Sequence, residues 1–154
     1  MIQRIQSLYL LISSAICTIL IFSPLASFRQ GDQIAAELFS YGVKKVGNAD
    51  LLISYNPVIL VVLVTISAML GIFTIFQYKK RPLQVLLSTF NIIILLVMLG
   101  MMVYYCIVIS QGLNGSINYY IQAIFPFISI ILLFLAIKSI RKDEKLIRSV
   151  DRIR

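Results

Sequence analysis

The sequence predicts an all-α membrane protein: a four-transmembrane-helix bundle with a small folded outer loop and a basic cytoplasmic C-terminal helix. Three observations carry that prediction. Of 154 residues, 60% are hydrophobic and 13% are charged, against about 45–50% and about 25% in soluble domains. The charges are gathered, leaving uncharged runs of 24 residues over 5–28, 28 over 51–78 and 56 over 82–137. The basic residues also fall unevenly on the two sides that those runs define.

A helix rises about 1.5 Å per residue, so crossing about 30 Å of hydrocarbon takes about 20 apolar residues. The first run therefore supplies one span, 5–27. It reads as a retained anchor, since its apolar stretch is longer than a signal-peptide core. The second run supplies a span over 57–78. The third would be about 84 Å long as one helix and must turn back. Gly, Asn and Ser cluster over 110–116, which marks the turn and leaves spans over 82–109 and 119–137. Pro57 and Pro82 each open a span, where a missing N–H costs nothing. Pro126 falls inside the fourth span and predicts a kink.

Between the first two spans, residues 28–56 form the outer loop. Phe39, Tyr41 and Val43 alternate with neighbours of other character, and 51–55 is a second β-prone run. A turn signal at 47–50 lies between them, which predicts a small hairpin or folded cap. Residues 138–154 form a charged tail with Ile140, Leu146, Ile147, Val150 and Ile153 on one helical stripe. Glu144 precedes Arg148 by four residues, a favourable helical order. The whole chain, 1–154, reads as one four-helix membrane domain.

Eleven basic residues lie on the side of Arg4, the loop Lys79-Lys80-Arg81 and the tail; three, Arg29, Lys44 and Lys45, lie on the other. Acidic residues divide three and three, so the first side carries all of the net charge of +8. The positive-inside rule then puts both termini in the cytoplasm. Tyr104, Tyr105, Tyr119 and Tyr120 gather at the outer end, where aromatic residues anchor at the interface.

The span interiors limit the chemistry. They hold no Asp, Glu, Lys or Arg, which argues against proton-coupled transport. Asn91 is the costliest polar residue and predicts an interhelical polar contact. Ser67 and Gly71 make a small-xxx-small pair suited to close helix packing within the bundle. Cys17 and Cys106 differ in depth by about 18 Å, beyond the roughly 7 Å reach of a disulfide, so both are expected as free thiols. The absence of His removes the commonest metal ligand and neutral-pH proton carrier. With no phosphate-binding glycine loop and no paired carboxylates, the expectation is no enzyme, no cofactor, no metal and no small-molecule substrate. Nothing polar lines one face of a helix continuously.

The tail is the candidate interaction element. Arg141, Lys142, Lys145, Arg148, Asp151, Arg152 and Arg154 are its candidate docking residues, toward anionic lipid head groups or other integral membrane proteins. Nucleic acid or ribosome is a weaker match, since the tail has no aromatic side chain to stack on bases.

The opening MIQRIQSLYLL over 1–11, RKDE over 141–144 and RSVDRIR over 148–154 resemble the domain-of-unknown-function 4293 family, small bacterial inner-membrane proteins with four predicted spans. The resemblance covers the whole chain. It implies a multi-pass protein of the bacterial inner membrane and brings no catalytic residues. The expected function is a non-catalytic accessory or scaffold subunit of a larger membrane complex, such as one that transports or assembles envelope proteins. The alternative is an oligomeric channel or small-solute transporter.

Overall fold

Long runs of Leu, Ile and Val without charge favour backbone bonds closed within each segment, as hydrocarbon requires. The computed structural model describes residues 3–31, 33–46, 56–78 and 80–151, with the side chains of 3, 4 and 145–151 outside the description. Its helices are α1 (Gln3–Phe22), α2 (Val58–Phe76), α3 (Arg81–Leu113) and α4 (Phe125–Asp151). Its strands are β1 (Pro24–Gln30), β2 (Gln33–Phe39), β3 (Gly42–Lys45) and β4 (Ser116–Tyr119), and a 3₁₀ turn, Ile121–Ile124, precedes α4. Among the described residues, four helical stretches are long and apolar enough to cross a membrane: Ile5–Phe22, Val58–Phe76, Arg81–Leu113 and Ile121–Glu144.

α1 packs on α2 and α4, α2 on α3, and α3 on α4. The helices therefore ring one core, centred on Leu10, Leu60, Val64, Leu95, Met98 and Leu133. At one end, Gln6 of α1 bonds Asp143 of α4, and Gln84 of α3 bonds Thr74 of α2. The start of α1, the α2–α3 turn and the far part of α4 thus share that end, which carries most of the basic residues.

The other end carries a sheet of order β3-β2-β1-β4, antiparallel at every pairing. β1 is central, with Ala26 opposite Leu38 of β2 and Tyr119 of β4. β4 arrives from between α3 and α4, so the sheet ties both helical hairpins together. Ala26, Phe28, Ala36 and Leu38 cover Cys106, Ile109 and Leu113 of α3. Ser40 Oγ donates to Leu20 O at 2.9 Å, fastening the β2–β3 turn to α1.

Several expectations need correction. The molecule is mostly helical with a small β-sheet, not all-α. The first helix ends at Phe22 rather than 27, because Pro24 disfavours helix at Ser23 and opens a strand. α3 runs to Leu113 rather than 109, since its last turns are covered by the sheet. Residues 116–119, expected as loop up to 118 with the fourth span opening at 119, are strand. The cap pairs 24–30, 33–39, 42–45 and 116–119, whereas the turn signal at 47–50 and the run at 51–55 lie outside the described residues. Pro126 is the second residue of α4, where its missing N–H is one of the first-turn donors without an intrahelical partner. It starts the helix instead of kinking it.

Candidate functional site

Two places gather polar chemistry: the bundle core and the basic end of α4. In the core, α3 opens with Pro82 in its first turn. Gln84, Ser88 and Asn91 then follow at spacings of four and three, all buried, so they line one face. The row is short: beyond Asn91 the buried residues of α3 are Ile94, Leu95, Met98, Leu99 and Met102. Gln84 Nε2 donates to Thr74 O at 3.2 Å and Asn91 Nδ2 to Ser67 O at 3.1 Å. Both bonds cross from α3 to α2. Ser88 Oγ and Asn91 Oδ1 are buried without a hydrogen-bond partner.

Opposite them, α2 presents Ser67, Gly71 and Thr74, spaced four and three and buried. A Cβ on Gly71 would stand 3.0 Å from Ser14 Cβ and 3.8 Å from Leu10 O. Gly71 therefore sets the close approach of α1 to α2. Cys17 Sγ of α1 lies 3.5 Å from Ser67 Oγ and 3.8 Å from Ser129 Oγ of α4. Ser13 Oγ donates to Ser129 O at 3.5 Å. All four helices thus supply a polar atom at one level of the core. These contacts run between helices and hold them together. Cys17 and Cys106 are both free and buried, Cys106 under the sheet.

At the basic end, α4 continues from its apolar stretch to Asp151 as one helix. Lys138, Arg141 and Lys142 are exposed. Asp143 turns the other way, is buried, and accepts from Gln6 Nε2 of α1, while its Oδ1 has no hydrogen-bond partner. An acidic residue inside the fourth candidate span was missed by the sequence reading, which ended that span at 137. The side chains of Lys145, Arg148 and Asp151 lie outside the described residues, as do Arg152 and Arg154 entirely.

At the sheet end, Tyr120 OH donates to Glu37 Oε1 at 2.8 Å. That bond to a carboxylate, with burial second, raises the tyrosine above its ordinary value of 10.0; Ser27 and Arg29 oppose the shift. Burial likewise raises Tyr119. Among the described residues, no group of three or more His, Cys, Asp or Glu comes together to hold a metal.

A family model described as a domain of unknown function, DUF4293, matches residues 2–153. The chain belongs to that family. Curated proteins and solved structures yield no match. In this DUF4293 chain the match spans every helix and strand described above. Gln84 was the legible omission: its spacing to Ser88 and Asn91 already put the three on one face of a helix. Asp143 carried no such signal, because a carboxylate among cations reads as solvated until its neighbour on α1 is known.

Proposed function

We propose that this DUF4293 protein is a non-catalytic accessory or scaffold subunit of a larger membrane complex. It would sit in the bacterial inner membrane with both termini cytoplasmic, an orientation supported by the eleven-to-three division of basic residues. The observation that carries the reading is the unbroken α4. It joins an apolar helix packed in the bundle to a basic helix reaching Asp151. A continuous helix of this kind would hold the tail in line with the bundle, which suits docking more than catalysis. The polar core supports the same view, since its bonds run between helices.

The channel or transporter reading draws on the row Gln84, Ser88 and Asn91. That row covers only about 10 Å of helix axis. Beyond it Leu95, Met98, Leu99 and Met102 fill the core, and the sheet covers the end.

Partner docking depends on which residues are packed, whereas attraction to lipid depends on summed charge. Arg148 and Arg152 stand one turn apart; Lys142 and Lys145 carry the same charge closer to the bundle. Copurification in mild detergent should show Arg148→Ala with Arg152→Ala releasing a partner protein, and Lys142→Ala with Lys145→Ala having a smaller effect. Equal effects, both abolished by salt, would leave attraction to the membrane surface alone.

A further inference from the structure

One groove at the basic end combines charge with apolar surface. Phe134, Lys138, Arg141 and Lys142 follow at spacings of four, three and one, on one stripe of α4. Together with Ile137 they line a groove of about 500 Å3. Phe134 is 63% exposed, and the three cations are exposed below it. Of the two carboxylates that directly follow, Asp143 is turned away into the α1–α4 contact, and Glu144, half-buried, is not among the described residues that line the groove. From Phe134 to Arg141 the helix advances about 10 Å, a span that runs from acyl chain to head group at a bilayer surface.

We propose that this groove binds one anionic phospholipid. The cations hold its phosphate, and Phe134 and Ile137 receive the first part of an acyl chain. Arginine can grip two phosphate oxygens at once, and lysine stems lie along apolar surface while their ammonium groups reach the head group. A lipid with net negative charge is favoured over phosphatidylcholine, whose own choline offsets its phosphate. A second groove, of about 530 Å3, lies at the sheet end and is lined by Met102, Val103, Tyr119, Tyr120 and Phe127 among others, with no cation. It has no such preference for an anion. The proposal rests on the reading that the four helices cross a membrane, and it replaces diffuse attraction along the tail with a defined site.

The test uses the full chain, reconstituted in mixed phosphatidylglycerol and phosphatidylcholine and extracted in mild detergent, with retained lipid identified by native mass spectrometry. The wild type should retain phosphatidylglycerol preferentially. Lys138→Ala, Arg141→Ala and Lys142→Ala together should lower that preference by about tenfold or more. Lys145→Ala, Arg148→Ala and Arg152→Ala, an equal loss of charge, should change it less than about twofold if the groove is the site. The single reversal Arg141→Glu should act in the direction of the first set, which guards against misfolding of the triple variant. Equal loss from both triples would overturn the site and leave only diffuse attraction. So would displacement of the lipid by millimolar inorganic phosphate, since that would make the groove a phosphate site. Absence of the wild-type chain from membranes would overturn the membrane reading and the proposal together.

Discussion

Tyr120 sits where the chain leaves β4 for the 3₁₀ turn, its N–H bonded to Leu25 O at 3.1 Å and its hydroxyl to Glu37. Ionising that hydroxyl would set a phenolate against a carboxylate, so the folded state favours the neutral tyrosine. A raised folded value means that the folded form binds more protons than the unfolded one over the interval between the two. The contribution to stability is therefore complete below the unfolded value, about 10, and is lost as pH rises through the folded one. Ultraviolet titration, with Tyr120→Phe as the reference, should show Glu37→Gln moving the Tyr120 transition to lower pH. An unmoved transition would mean that Glu37 does not govern this tyrosine.

At the scale of elements, α3 shows how span and cap are joined. Its 33 residues make about 50 Å of helix, well beyond the roughly 30 Å of a hydrocarbon core. The excess at the sheet end packs under β1 and β2 through Cys106, Ile109 and Leu113. Asn114 then turns the chain in a left-handed conformation with φ 47°. Gly115 N donates to Ser110 O at 3.1 Å, and Ser110 Oγ to Gly115 O at 2.6 Å. A Cβ on Gly115 would stand 2.5 Å from Arg29 O, where β4 begins to pair with β1. Gly115→Ala should therefore destabilise the protein by about 1–3 kcal/mol and speed hydrogen exchange in β4 before the bundle. Gly100→Ala, with nothing within 4 Å of the added carbon, should be neutral or stabilising by up to about 1 kcal/mol. Equal thermal shifts for the two variants would count against the close approach of β4 to β1.

For the whole molecule, the up-down order of helices leaves the start of α1 and the end of α4 together, with the sheet at the opposite end. The charge asymmetry lies along the same axis, because Lys80, Arg81, Lys138, Arg141 and Lys142 share the end away from the sheet. Alkaline phosphatase fused after residue 154 should be inactive, and an insertion within 44–48 should be active. The reverse pattern would place the sheet in the cytoplasm and overturn the proposed orientation.

Sequence alone determined the number of apolar helices, the charge imbalance and the separation of Cys17 from Cys106. Each is a local sum along the chain, and hydropathy, charge and axial rise need no knowledge of neighbours. Asn91, Ser67 and Gly71 could also be singled out, because polar or small residues in an apolar run stand out by type. Tertiary structure alone decided which strands form the cap. β1 pairs with β4 some 91 residues away, as in the contact of Ser27 with Asn118, and the composition of both segments points to other states. The same holds for Pro126, whose effect depends on where its helix begins. Asp143 is the clearest case. Its burial is set by Gln6, 137 residues distant, and its inward turn separates it from the exposed Lys138, Arg141 and Lys142.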